Sequence, residues 1–452
     1  MSRAHLARRY PVLTIRDFRL LMADRLIAPA SAGFSMVGVS FAVLKTTGSP
    51  AALSYVLAAQ IAPSLVFALL GGVAADRFRP QRVIIAANLM MAAGEGTFGL
   101  LVLTAHPAHG QPALWLMICL EAVTGTGMAV FWPASQALLP RLVPDSMLPE
   151  ASAISRMGMN TGLMAGSALA GLLVAAAGPG WALSLCGIGM LGTVPLLLAI
   201  KGSSHDRLDV DRATAPSMLG ELRDGWSEFR SHTWLWVIVA QFCVVMMAWY
   251  GAFSVLGPVV ARAHLGGAAA WGAVTAADSF GLIAGGIVSL RVTPRRPMLF
   301  VVVTGAAIAI SPLSLALVLP LPVICLTSFG LGVFLEMMMV QWTVAMARNI
   351  PAGMLARVSS YDALGSVMAM PAGALIAGPL AAAIGVSATQ YAAAGAIVLA
   401  SALALIPREI RTMRAGHEDL VQPAHLVRTY LSSCSRNGST VAGGVMPAGA
   451  AA

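Results

Sequence analysis

Gly71-Gly72-Val73-Ala74-Ala75-Asp76-Arg77-Phe78-Arg79-Pro80-Gln81-Arg82 decides how this sequence folds. It is a short charged clasp between two apolar runs, 51–75 and 83–105. Each run exceeds the ~20 residues a helix needs to cross ~30 Å of hydrocarbon. A connection this short forces the two helices to lie antiparallel, side by side. The clasp then sits at one membrane face, and its arginines nominate the cytoplasmic one. Topology accounts for Arg77, Arg79 and Arg82 but asks for no acid, so Asp76 stands out.

The rest of the chain repeats that pattern. Of 452 residues, 58% are hydrophobic and 10% charged, with mean hydropathy +0.80. A soluble domain carries about 25% charged residues, so the chain reads as an all-α integral membrane protein. Twelve apolar runs are expected, at 18–43, 51–75, 83–105, 113–139, 157–177, 181–200, 234–260, 268–290, 298–319, 321–347, 358–384 and 388–406. These group as a first six-helix bundle over 1–200, a central loop at 201–233, a second bundle over 234–407 and a tail at 408–452. The tail, rich in Gly, Ser and Ala, is expected to be mostly disordered. Of the 28 Lys and Arg residues, 25 fall in the termini and the loops after even spans, and only Lys45 and Arg262 in loops after odd spans. That asymmetry puts both termini, the clasp and the central loop in the cytoplasm of a bacterial inner-membrane protein. The net charge of +9 is therefore an orientation and lipid-anchoring signal, with no nucleic acid as partner.

The halves echo each other. At an offset of 207 residues, Arg141, Pro144, Leu148 and Ser152 align with Arg348, Pro351, Leu355 and Ser359. Gly158, Gly166, Gly171 and Gly178 then align with Gly365, Gly373, Gly378 and Gly385. A parallel repeat of this kind is one of the two transporter plans, with the binding site between the halves. Gly162-x-x-x-Gly166 and Gly281-x-x-x-Gly285 mark places where helix backbones can approach closely.

Several segments resemble the major facilitator superfamily, over roughly 14–408. They are Arg16-Asp17-Phe18-Arg19, the clasp from Gly72 to Arg82, and Phe131-Trp132-Pro133-Ala134-Ser135-Gln136-Ala137-Leu138-Leu139-Pro140. Trp234-Leu235-Trp236 and Arg357-Val358-Ser359-Ser360-Tyr361-Asp362-Ala363-Leu364-Gly365 complete the set. Within that superfamily the chain looks like the bacterial branch of enterobactin-type, drug and secondary-metabolite exporters. The resemblance implies a proton-driven secondary transporter that moves a small molecule by alternating access. It also implies a conformational latch at Gly72, Asp76, Arg77 and Arg82, with Asp76 meeting the N-terminus of the eleventh helix. The clasp departs from the family pattern at Arg79 and Pro80-Gln81, which puts the arginine part of the latch in question.

Ionisable groups inside a membrane are expensive and mark function. Those expected inside spans are Asp24, Arg25, Glu95, Glu121, Asp278 and Glu336. The superfamily plan lines the cavity with the first, fourth, seventh and tenth helices, so Glu121 and Glu336 lead as proton-coupling or substrate-binding groups near mid-depth, ahead of Asp24 and Asp278. An acid in a low-dielectric cavity favours its protonated form and can load and release a proton in a cycle. For Glu121 and Glu336 the alternative is a neutral acid hydrogen-bonded to a neighbouring helix; for Asp24, about two turns inside the cytoplasmic face, it is a local ion pair with Arg25 or snorkelling of both groups, and Asp278 is placed at the cavity edge. Glu95, on a helix the plan places outside, is expected to serve packing. Trp132, Gln136, Gln241, Trp249, Tyr250 and Trp342 are expected to line the cavity.

Enzyme motifs (HExxH, GxSxG, a phosphate-binding GxxxxGK[ST]) are missing, as is any paired cysteine spacing among the five cysteines. No cofactor or metal is expected, the proton gradient being the energy source; the partners are a small-molecule substrate and lipid, and the protein is expected to be a monomer. A non-transporting membrane sensor or scaffold and a nutrient importer remain open as alternatives.

Overall fold

The computed structural model describes residues 11–75, 79–105, 113–201, 226–289 and 291–413, apart from 228, 293, 351–353, 355–357, 360, 363, 364 and 367. For 64–75, 145 and 149 the backbone alone is described. Asp76 and Arg77 of the expected latch, most of the central segment 201–233 and nearly all of the tail 408–452 lie outside these residues.

Ten described helices are long and apolar enough to span a membrane. In chain order they are α1 (Arg16–Thr47), α3 (Pro80–Thr104), α4 (Leu114–Leu142), α5 (Leu148–Ala177), α6 (Pro179–Leu198), α7 (Thr233–Leu265), α8 (Ala268–Ser289), α9 (Pro297–Ala316), α10 (Leu321–Asn349) and α12 (Val386–Ala404). The second helix, α2 (Pro50–Ala75), and the shorter α11 (Ala369–Ile384) complete twelve. Hydropathy placed most of these spans to within a few residues; the eleventh, expected from 358, is one described helix only from Ala369, residues 360, 363, 364 and 367 lying outside the described set. The fifth begins at Leu148, not near 157, because Pro149 and Glu150 occupy the first turn, where a proline and an acid suit a helix start. Arg156 therefore lies inside α5 and not in a loop, and the charge asymmetry between the two ends survives the move.

Odd-numbered helices start, and even-numbered helices finish, at one end of the molecule, the arginine-rich end. Within the first half α1 packs on α5 and α6, α3 on α4 and α6, and α2 on α4; within the second, α8 packs on α10 and α7 on α11 and α12. The halves meet along α5–α8 and α2–α11.

The four aligned glycine pairs do the same work in each half. A Cβ on Gly158 would meet Met22 of α1, and one on Gly365 would meet Val239 of α7. Gly166 packs on the backbone of Ala30 in α1, as Gly373 does on Met247 in α7. Gly171 and Gly378 cross to the other half, onto Gly272 of α8 and onto Ser54 of α2. Gly178 and Gly385 close their helices with φ of 98° and 91°, their N–H groups donating to Val174 and Ala381, themselves 207 residues apart. Positive φ favours glycine because it has no Cβ to clash. A repeat read from spacing is thus a repeat in contacts, with α5 and α11 exchanging roles across a pseudo-two-fold axis.

Candidate functional site

Three polar groups of residues are built into this apolar frame. The first lies between the halves. Glu336, about midway along α10, is nearly buried against Gly285 and Gly286 of α8. Its Oε1 accepts from Nη1 of Arg156 on α5 at 3.1 Å. The Arg156 side chain is 67% exposed and that of Glu336 11%. This is the one ion pair within 4.0 Å among the described residues. Sequence reading nominated Glu336 but missed Arg156, since a charge at the edge of an apolar run reads as loop. Asp278, half-buried on α8, leaves Oδ1 buried without a partner. Its backbone carbonyl lies against Gly332 of α10, so it shares the α8–α10 seam with Glu336.

The second group lies inside the first half towards the arginine-rich end. Asp24 and Arg25 are 1% and 2% exposed and form no ion pair with each other within 4.0 Å. Asp24 Oδ1 accepts from Asn88 Nδ2 of α3 at 3.5 Å, and Asn88 donates to Thr193 Oγ1 of α6 at 2.6 Å. Arg25 donates through Nη2 to the carbonyl of Ser135 in α4 at 2.6 Å and through Nη1 to the sulfur of Met159 in α5 at 3.3 Å. These contacts tie α1, α3, α4, α5 and α6 together. Snorkelling of either residue to the interface is ruled out by their burial.

The third group lies nearer the opposite end. Glu121 is seven residues into α4, about 10 Å along its axis, and so not at the expected mid-depth. It is fully buried, and Oε2 accepts from Gln60 Nε2 of α2 at 2.8 Å. Gly125, one turn on, lets α2 approach α4 so closely that a Cβ there would overlap the Gln60 carbonyl. Glu95 on α3, also buried, accepts a hydrogen bond from Ser35 Oγ of α1.

The residues expected to line a cavity divide. Trp132 and Gln136 are exposed on one face of α4. Trp249 and Tyr250 are half-buried where α7 widens into a π-helical turn (Tyr250–Val255), with Trp249 stacked on Phe253. Gln241 and Trp342 are instead enclosed within the second half. Gln241 donates to Ser401 Oγ of α12 at 2.9 Å, and Trp342 Nε1 to Asp362 Oδ2 at 2.9 Å while packing edge-on to Trp234. Each amide or indole N–H found a partner within its own bundle. At the clasp, Arg82 is exposed, while Gln81 donates to the carbonyls of Leu197 and Ile200 at 2.5 and 3.0 Å. The glutamine that breaks the family pattern thus caps the end of α6.

The profile of the Major Facilitator Superfamily matches residues 26–361, about three quarters of the chain. The chain belongs to the major facilitator superfamily. It is 24% identical over 382 residues to macrolide efflux protein A of Streptococcus pyogenes, covering 82% of this chain and 90% of that protein. It is 26% identical over 401 residues to the enterobactin exporter EntS of Salmonella choleraesuis, covering 88% and 94%. Among solved structures it resembles the nucleoside transporter NupG, with a TM-score of 0.68 at 10% identity over 88% of this chain and 100% of that one. It also resembles a bacterial homologue of the lysosomal transporter Spinster, solved inward-facing and unoccupied, at TM-score 0.60 and 14% identity over 93% and 98%. These likenesses establish the fold. This superfamily member is therefore a multi-pass transporter with its polar groups distributed over both halves.

Among the described residues, two direct hydrogen bonds join the halves at the end away from the arginines. Ser54 Oγ of α2 accepts from the Gly378 N–H of α11 at 2.7 Å, and Arg262 at the end of α7 donates to the Leu44 carbonyl of α1. Arg156–Glu336 lies deeper, between this closed end and the arginine-rich one.

Proposed function

We propose that this superfamily member is a proton-coupled exporter of a small molecule, of the drug, antibiotic or siderophore-like class. The observation that carries the reading is Arg156–Glu336, a charge pair made between the two halves, where alternating access must remake contacts. The named activities of the two relatives, macrolide efflux and enterobactin export, support export as the direction. With the arginine-rich end in the cytoplasm, the end joined by Ser54–Gly378 and Arg262–Leu44 faces outward.

The cycle needs a group that exists in two charge states. Glu336 paired with Arg156 is an ionised carboxylate held by a cation. A proton on Glu336 neutralises it and releases the guanidinium, so loading a proton loosens this connection between the halves. Glu121, Asp24 and Asp278 are the further acids able to carry a proton across the membrane depth. One proton moving down ~100 mV supplies ~2.3 kcal/mol, about a 50-fold concentration ratio before any pH gradient is added.

Inside-out vesicles carrying the protein test this reading. With an acidic lumen they are expected to accumulate a compound from a panel holding a macrolide, a catecholate siderophore and a cationic dye. Collapse of the pH gradient, Glu336→Gln or Glu121→Gln abolishes the accumulation. Movement that ignores the pH gradient, or no movement of any compound, overturns it.

A further inference from the structure

The third helix carries an acid that the reading above leaves unused. Glu95 is 1% exposed, and a Cβ on its neighbour Gly94 would meet the Leu120 carbonyl and Thr124 of α4, the turn that carries Glu121, so the two acids share one helix crossing. We propose that Glu95 and Glu121 form a two-carboxyl site that holds one proton between them, making Glu95 a second proton-carrying residue of the first half.

The donors around the site fix where that proton goes. Ser35 Oγ fills Oε1 of Glu95, and Gln60 Nε2 fills Oε2 of Glu121. Oε2 of Glu95 and Oε1 of Glu121 are both buried and have no partner. Helices α3 and α4 are drawn together here, since a Cβ on Gly94 would overlap the hydroxyl of Thr124. Thr124, one turn beyond Glu121 and 5% exposed, leaves its own hydroxyl without a partner. Two unpaired carboxyl oxygens, one from each helix, thus lie at this crossing, where unpaired buried polar atoms are costly.

The groups facing the pair from the surrounding helices are neutral. They are Ser35 of α1, Gln60 of α2, Cys186 of α6 and Tyr250 of α7. The single ion pair among the described residues, Arg156–Glu336, belongs to the interface between halves. Two carboxylates this close, out of water and without a cation, cannot both be ionised. A proton on either vacant oxygen removes one charge and supplies the missing donor. The rest of the pair then carries a single negative charge, stabilised by the Ser35 and Gln60 donors. The shared proton is a property of the site itself; its use in transport rests on the proton-coupled reading above.

Infrared spectroscopy of the purified full chain at neutral pH, with hydrogen–deuterium exchange to mark carboxyl bands, tests the pair without any cargo. A protonated-carboxyl band is expected, and Glu95→Gln and Glu121→Gln should each shift or remove that same band. Ser35→Ala keeps both acids and so guards against a folding failure; it removes the donor to Glu95 Oε1 and should shift the band as well. Overturning results are a wild type with no such band, single variants that each delete an independent band and leave the other unmoved, or a band indifferent to Ser35→Ala. In the vesicle assay Glu95→Gln is expected to cut pH-gradient-driven accumulation as Glu121→Gln does. If Glu336→Gln still abolishes accumulation while the infrared test fails, the shared proton falls and the exporter reading stands.

Discussion

A carboxylate can anchor a fold or carry a proton, and the two roles separate by what the rest of its side chain touches. Glu336 meets a guanidinium that is two-thirds in the open. With the guanidinium this open, water screens the pair and solvates the cation once its partner is gone, so Glu336→Gln should leave thermal stability in detergent within about 1 kcal/mol of wild type while removing pH-gradient-driven movement. A large loss of stability would reassign the residue to packing. Asn88 is the opposite case, fully buried and bonded to Thr193 and Asp24. Asn88→Leu leaves both partners short of a donor and is expected to destabilise by ~1–3 kcal/mol. Gln136→Ala, on an exposed face, should stay within ~0.5 kcal/mol. Sequence alone picked out Asp24, Glu121 and Glu336 because charge in an apolar run is visible by type. It missed Arg156, since which way a side chain points around a helix is decided by its neighbours, and those are distant in the chain.

At the scale of a helix, the same contrast holds between what residue type reveals and what packing imposes. The glycine register at an offset of 207 was legible because a missing side chain is itself the signal for close approach. Gly166 and Gly373 each press on a backbone, of Ala30 and of Met247. Gly166→Val and Gly373→Val should therefore cause similar, severe losses of folded protein, read as recovery in size-exclusion chromatography; a benign result at either would break their equivalence. The π-helical turn in α7 left no mark in the sequence. Its widened turn presents the Ala252 carbonyl to Gln390 Nε2 of α12 at 2.9 Å, and Gln390 is fully buried. Such turns concentrate at functional sites. Gln390→Leu removes the donor and is expected to lower stability by ~1–3 kcal/mol in a denaturation series, with Gln390→Glu a poor rescue because a carboxylate cannot donate.

Across the whole molecule, alternating access requires that the bonds now joining the halves at the closed end come apart. Apolar periodicity and charge asymmetry were enough to give twelve helices in two matching bundles, because both report on the bilayer. Which end is shut depends on contacts such as Ser54 with Gly378, and no local pattern encodes them. A Cβ on Gly378 would overlap Ala51 and the Pro50 carbonyl, so α2 and α11 meet with no room for a larger residue. Gly378→Val should therefore hold this end apart and drive the population towards an arrangement open here, since a state that cannot form its closing contact loses weight to the alternative. The converse trap is a disulfide. In a chain freed of its five native cysteines, Ser54→Cys with Gly378→Cys places two sulfurs at a crossing where the side chain of one residue already reaches the backbone of the other. Oxidation is expected to cross-link the pair and stop transport, and reduction to restore it. An oxidised, cross-linked protein that still moved cargo would show that the two halves do not separate here, and that access alternates by some other motion.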